Sequence, residues 1–272
     1  MKVLEIEPRN EVLKNYVSKY QYFDVDGPLL VKAIPTGTLE CFVIIGGSFE
    51  IFDPEKATFF ASEHIGVFPM GSQVSAYFIP KNVKCFNIKL KAQSLSLPKF
   101  EGVISDWKSF SVESFLGAVG MEKIRTFDYS NEESFADTMD EILLENNDFN
   151  TVDERLEAVL NSMVAESTSN MKVDQIAENN HMTLKSLERL TKKVFGMPPK
   201  KLMGILRFGE SAKYLKNTEG YKFIDALQFG YYDQSHFIRE CKKITKMSPK
   251  EFLSKLNLDT NDLVLDGSVE EN

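Results

Sequence analysis

Two stretches fifty residues apart carry the same basic chemistry. Lys192-Lys193-Val194-Phe195-Gly196-Met197-Pro198-Pro199-Lys200 aligns with Lys242-Lys243-Ile244-Thr245-Lys246-Met247-Ser248-Pro249-Lys250, and the same offset pairs Arg189 with Arg239, Leu187 with Phe237 and Thr183 with Asp233. Thr and Asp are residues that cap helices, because a side-chain oxygen accepts from a free N–H of the first turn. Ahead of each cap lies a short apolar segment, Val173–Asn179 and Phe223–Phe229, read as a helix that ends in a tight turn, which Gly230 supplies in the second copy. A short helix, a turn and a second helix rich in Arg and Lys is the layout that places the second helix in the major groove of DNA.

Thr183–Phe195 and Asp233–Thr245 are therefore the candidate recognition helices. Lys185, Ser186, Gln234, Ser235 and His236 sit where polar side chains reach base edges; Thr183 and Asp233 start the helices. Arg189, Lys192, Lys193, Arg239, Lys242 and Lys243 follow where phosphates would lie, and the duplicated spacing favours phosphate contact over a solvated face for the four lysines. Two alternatives stay open: His236 reads a base or satisfies a backbone group, and Arg189 and Arg239 touch phosphate or brace their units through a carboxylate. Between the copies, Pro199–Asn217 reads as one long helix with Leu202, Ile205, Leu206, Ala212 and Leu215 buried, a spacer that would set both recognition helices about one DNA turn, ~34 Å, apart.

Other chemistries find no frame. The strand-rich N-terminal part has His64 alone, too few ligands for a metal centre, and Cys41, Cys85 and Cys241 are too widely spaced for a zinc knuckle or a disulfide framework. No Walker loop, dinucleotide fingerprint or His-Glu-x-x-His stretch occurs, so the reading is of a protein that is not an enzyme and needs no cofactor or metal. Cys241 reads as a small buried apolar side chain.

The positioning elements follow from period and charge. Formal net charge is -8, but residues 1–164 hold 15 Lys+Arg against 25 Asp+Glu, residues 165–257 hold 17 against 10, and 258–272 hold none against 5. One basic segment on an acidic body is the asymmetry of a chain in which that segment alone meets a polyanion. Strands are predicted at Leu29–Pro35, Leu39–Ile45, Ser48–Phe52, His64–Pro69, Gln73–Ile79 and Val83–Leu90, with Gly46-Gly47 as a two-residue hairpin turn. In the last strand Phe86, Ile88 and Leu90 alternate with Asn87, Lys89 and Lys91, an apolar face and a wet one. Lys14–Tyr22 fits an aromatic helix or a strand. Glu132–Asn146 and Thr151–Glu166 have helical period and are read as a helical hairpin that packs on the sheets or forms a dimer interface. Ser167-Thr168-Ser169-Asn170 reads as a polar linker.

The fold class is α+β: an antiparallel β barrel or sandwich with a helical hairpin, then an all-α domain with two helix-turn-helix units. The boundaries are 1–115 for the β-rich regulatory part, 116–166 for the hairpin, 167–257 for the DNA-binding domain and 258–272 for an acidic tail expected to be disordered. The longest apolar run, Cys41–Ile45, is far short of the ~20 residues of a bilayer span, and the acidic start is unlike a signal peptide, so a cytoplasmic protein is expected.

The stretch from Gly230-Tyr231-Tyr232-Asp233-Gln234-Ser235-His236-Phe237-Ile238-Arg239-Glu240-Cys241 through Phe252 resembles the signature of the AraC/XylS family of bacterial transcription regulators, over about 165–257. The resemblance implies a seven-helix domain with two helix-turn-helix units behind a domain that senses a ligand or dimerises. Ile34-Pro35-Thr36-Gly37-Thr38-Leu39-Glu40 and the strands around it resemble, more weakly, the cupin-like sensing domain of some members. Three departures stand out. Thr191 and Cys241 occupy positions where Phe is common, Asn179-Asn180-His181 replaces a turn glycine on the strength of Asn's tolerance of left-handed backbone, and Glu188 and Glu240 sit on the recognition helices, where they should face protein or a cytosine amino group.

The resulting expectation is a sequence-specific regulator that binds promoter or operator DNA and contacts RNA polymerase, with a small effector or a second copy acting through the N-terminal part and no membrane partner. Phe42, Phe68, Tyr77 and Phe86 are the candidate pocket lining, with plain core as their simpler role. The alternative is a protein-binding adaptor or an architectural factor with sequence-blind DNA contact.

Overall fold

The computed structural model describes residues 2–33, 39–53, 58–62, 64–68, 75–100, 111–169, 171–257 and 262–265. Among the described residues the N-terminal part contributes nine strands: β1 (Lys2–Ile6), β2 (Val17–Val25), β3 (Leu29–Ala33), β4 (Leu39–Gly46), β5 (Phe49–Asp53), β6 (Thr58–Ser62), β7 (His64–Phe68), β8 (Ser75–Ile79) and β9 (Val83–Leu90). They form two antiparallel sheets. One has the order β1-β2-β9-β4-β7; in the other, β10 (Leu256–Asn257) and β11 (Asp262–Leu265) from the end of the chain precede β3-β8-β5-β6. The undecided segment Lys14–Tyr22 is a 3₁₀ turn at Leu13–Asn15 followed by β2.

The five-stranded sheet buries side chains on both faces, and the alternation of β2, β4 and β9 sorts them. Tyr20, Tyr22, Cys41, Val43, Phe86 and Ile88 join a cluster shared with the helices. Phe23, Val25, Phe42, Ile44, Val83 and Cys85 join Ile79 of the other sheet. The face expected to be wet is not: Asn87 and Lys89 are each 1% exposed, because a second sheet lies where single-strand periodicity implies solvent. Nor is Gly46-Gly47 a hairpin turn. β4 and β5 lie in different sheets, and only Gly47 has positive φ (+86°), so the pair carries the chain across the sandwich; a side chain at Gly47 would meet Val83 Cγ2 at 3.0 Å.

Among the described residues four α-helices follow: α1 (Val112–Leu116), α2 (Ala118–Thr126), α3 (Glu132–Asn146) and α4 (Glu154–Glu166). Asn131 caps α3 by accepting from the Ser134 N–H, and Phe135, Met139, Ile142 and Leu143 form its buried face. Buried Asp140 ties α3 to the start of the chain, accepting from the N–H groups of Arg9 (2.9 Å) and Asn10 (2.7 Å) and from the Tyr20 hydroxyl (2.7 Å). The expected hairpin takes another form: α3 packs on α1, α2 and β1, whereas α4 lies against the 3₁₀ segment Ala92–Ser96 and the helices that come after it. Each helix has its own apolar stripe, and period alone does not say that two stripes face one another.

The C-terminal part is helical: α5 (Val173–Asn179), α6 (Leu184–Phe195), α7 (Pro199–Asn217), a 3₁₀ helix at Phe223–Phe229, α8 (Gln234–Thr245) and α9 (Pro249–Lys255). One apolar cluster runs from the sheet through α3 and α4 to Leu206 of α7, and a second, from Phe208 to Leu256, is the core of the second repeat. The polar linker is packed rather than free. Ser167 is buried, and a Cβ at Gly230 would stand 2.8 Å from the carbonyl oxygen of Ser169. The acidic tail corrects another expectation. β11 pairs with β3 through Leu263↔Lys32, Val264↔Val31 and Leu265↔Leu30, an apolar run of three set between the charges of the tail. The rest of the tail, and Ile34–Thr38 of the cupin-like stretch, lie outside the described residues. Among the described residues no helix is long and apolar enough to cross a membrane.

Candidate nucleic-acid interface

The repeat found in the sequence is a repeat of structure. Helix α6 starts at the Thr183 cap, whose Oγ1 accepts from the Ser186 N–H (3.1 Å), and α8 starts at Asp233, whose Oδ1 accepts from the His236 N–H (2.6 Å). Both stop on a left-handed residue, Gly196 (φ 66°) and Lys246 (φ 64°), and Pro199 and Pro249 then open the next helices. The turns before α6 and α8 also bend through positive φ, at His181 (53°) and Gly230 (76°). In the first turn the left-handed residue is therefore His181 and not an asparagine. Asn180 instead spends its side chain on the fold, donating to the Ile176 carbonyl (2.8 Å) and the Ser162 hydroxyl (3.0 Å).

Each unit buries one stripe of its second helix, Leu187, Thr191 and Phe195 in α6 and Phe237, Cys241 and Thr245 in α8. The opposite faces carry the charge. Lys185, Arg189, Lys192 and Lys193 are exposed on α6, as are Gln234, Ser235, Arg239, Lys242 and Lys243 on α8. Arg189 and Arg239 make no ion pair among the described residues, so the bracing alternative has no geometry behind it. Bracing falls to Arg207 of α7, which sequence reading missed. Its Nη2 lies 2.9 Å from Oε1 of Glu240, and its guanidinium sits 4.7 Å over the Tyr231 ring. Burial alone would lower the pKa of Arg207, yet the hydrogen bonds and charge of Glu240 outweigh it and hold the group above its ordinary value. Gly204 makes room for this pair, since a Cβ there would meet Glu240 Oε1 at 3.0 Å. Glu240 thus faces protein as expected, whereas Glu188 is exposed.

His236 is half-buried, its Nδ1 accepting from the Tyr232 N–H (3.4 Å), which is the backbone role among its two alternatives. Thr183 and Ser186 share a hydroxyl contact of 2.9 Å beside the capping bond. Tyr232, 91% exposed, stands just before the Asp233 cap of α8, an exposed aromatic that sequence reasoning missed.

The pocket residues of the N-terminal part do not line one cavity. Phe42 faces the second sheet, while Phe86 points to the opposite side and packs against Phe135 of α3 at 6.1 Å, so strand alternation separates the two. The side chains of Phe68 and Tyr77 lie outside the described residues; their backbones pair with Glu40 and with Val31 and Ile51. Beside Phe42 the sandwich interior is polar. Gln21 and Asn87 are buried, the Asn87 amide nitrogen donating to Gln21 Oε1 (3.0 Å) and Glu40 Oε2 (3.3 Å), and Lys89 Nζ lies 3.4 Å from Glu40 Oε1. Asn87 Oδ1, buried, has no hydrogen-bond partner among the described residues. Burial pushes the Cys41 thiol up to about 12 and the Cys241 thiol up to about 11. Among the described residues no three His, Cys, Asp or Glu gather as a metal site.

Comparison with known proteins agrees with this geometry. Residues 176–255 match the family described as a helix-turn-helix domain. Over 106 residues the chain is 24% identical to an uncharacterized HTH-type transcriptional regulator of Haemophilus influenzae, a match covering 39% of this chain and spanning about a third (36%) of that relative's length. Over 93% of this chain and 98% of the other, the fold is similar to that of ToxT from Vibrio cholerae, with a TM-score of 0.50 at 13% identity. A structure of ToxT with a bound unsaturated fatty acid gives 0.49 at 13% identity, over 92% and 94%. With its two capped units inside the matched stretch, the C-terminal part of this chain, residues 176–255, is a helix-turn-helix domain.

Proposed function

We propose that the chain is a sequence-specific transcription regulator in which α6 and α8 enter successive major grooves of one duplex. The observation that carries this reading is the duplicated helix itself: two copies with the same caps and the same left-handed stop, each leaving its Arg and Lys side chains exposed. Lys185, Gln234 and Ser235 are the base readers, and Arg189, Lys192, Lys193, Arg239, Lys242 and Lys243 the phosphate contacts. RNA polymerase and a second copy of the chain are the protein partners of this reading.

A small effector in the N-terminal sandwich is the regulatory half of the proposal. Its support is the polar interior next to Phe42, where the lone acceptor Asn87 Oδ1 calls for a ligand or water that donates a hydrogen bond. Helix α4 offers the route onward. Its Glu157 accepts from the Tyr16 hydroxyl (3.0 Å) and its Asn161 from the Gln93 amide (2.9 Å) on one side, while Ser162 meets Asn180 on the other.

Selection of the full chain on a randomised duplex pool at two salt concentrations tests the core of the reading. Recovery of a motif with two short blocks about one helical turn apart is expected. Binding that falls steeply with salt and selects no motif would replace it with the sequence-blind architectural reading.

A further inference from the structure

Beside the first recognition helix lies a groove of about 240 Å³ between α4 and α6. Arg155 borders it from α4; Ser186, Arg189 and Lys193 border it from α6, over a floor that includes Leu156 and Leu190. We propose that this groove seats a DNA phosphate and that Arg155 is a backbone contact of the first unit, which makes α4 part of the interface. The proposal rests on the DNA-binding reading above and deepens it.

Charge decides the occupant. Three cations border the groove against one carboxylate, Asp153, whose Oδ1 already caps α4 by accepting from the Leu156 N–H (2.9 Å). Of the two first-turn carboxylates of α4, Glu157 is engaged by Tyr16 and Glu154 is exposed and does not border the groove. Residues 127–171 contain twelve Asp and Glu and a single basic residue, and that residue is Arg155. The one cation of an acidic stretch thus stands, exposed, where the chain passes α6. The second unit is built differently at the matching place. The position that corresponds to Leu190 is Glu240, held by Arg207 of the preceding helix. In both units the helix before the pair flanks the recognition helix; in the second its arginine is spent on protein, and in the first it is exposed.

The test is the salt dependence of DNA binding by the full chain. One phosphate contact contributes about 0.9 to the slope of log K against log salt. Arg155→Gln is expected to make the slope shallower by about 0.9, equally on preferred and random sequence, and Arg155→Lys to keep it. Lys81→Gln, an exposed residue on the turn between β8 and β9, removes the same charge far from the interface and is expected to leave the slope unchanged. A wild-type slope in Arg155→Gln, or an equal fall in Lys81→Gln, would overturn the proposal while leaving the DNA-binding reading intact. Absence of any DNA binding by the wild-type chain at low salt would remove both.

Discussion

At the scale of residues, the two recognition helices are built alike and supported differently. Arg207 and Glu240 are largely buried, so removal of either leaves a charge without its partner. Arg207→Met is expected to cost about 2 kcal/mol of stability in urea denaturation, somewhat less than a fully buried pair, and to blur sequence preference by loosening α8. Unchanged stability would mean that the ion pair is incidental to the α7–α8 packing. Gln234→Ala should change which sequence is preferred, whereas Arg239→Ala and Lys242→Ala should weaken all sequences together, as competition binding on matched and random duplexes would show. The cysteines give a pH prediction. Burial raises Cys41 to about 12, so its native thiol stays protonated where the unfolded one, near 9, ionises. Its contribution to stability is complete below pH 9 and is lost as pH rises from there toward 12. A denaturation midpoint that falls across pH 9–10.5 is expected, together with negligible alkylation of Cys41 in the native chain at pH 8.

At the scale of elements, caps and stops account for most of what can be changed. Lys246 holds the left-handed position that glycine fills at Gly196, and a side chain there costs about 1 kcal/mol. Lys246→Gly should therefore raise the stability of the second unit by about that amount, which a thermal melt will register; no change would mean that the lysine side chain repays the strain. The C-terminal helices were legible because their signals are local: Thr183, Asp233, Gly196 and Gly230 each act within a few residues, and a duplicated spacing is hard to produce by chance. The sandwich was legible as strands and less so as a fold. Gly46-Gly47 marks a reversal of the chain, but which sheet receives the next strand depends on residues far away. Asn87 and Lys89 look solvated on any single strand, and only the second sheet buries them. The parting of α3 and α4 was hidden for the same reason, as was Arg207, whose partner lies 33 residues on.

At the scale of the whole molecule, a late strand of the chain, β11, is built into a sheet of the N-terminal part beside β3. Truncation after Asn257 removes β11 and uncovers the edge of β3. The shortened chain is expected to melt about 2–4 °C lower and to self-associate at high concentration in sedimentation, as exposed strand edges do; melting and sedimentation like those of the intact chain would remove β11 from the fold. The same pairing bears on biosynthesis. β3 ends at Ala33, but its neighbour on one side is not made until residue 265, and at 5–20 residues per second a ribosome takes roughly 10–50 s to get there. For that interval the nascent sheet has an open edge on every translating ribosome, so neighbouring nascent chains on one message become its competitors. Residues 262–265 thus cover an edge that stays open while the whole helical part is being made.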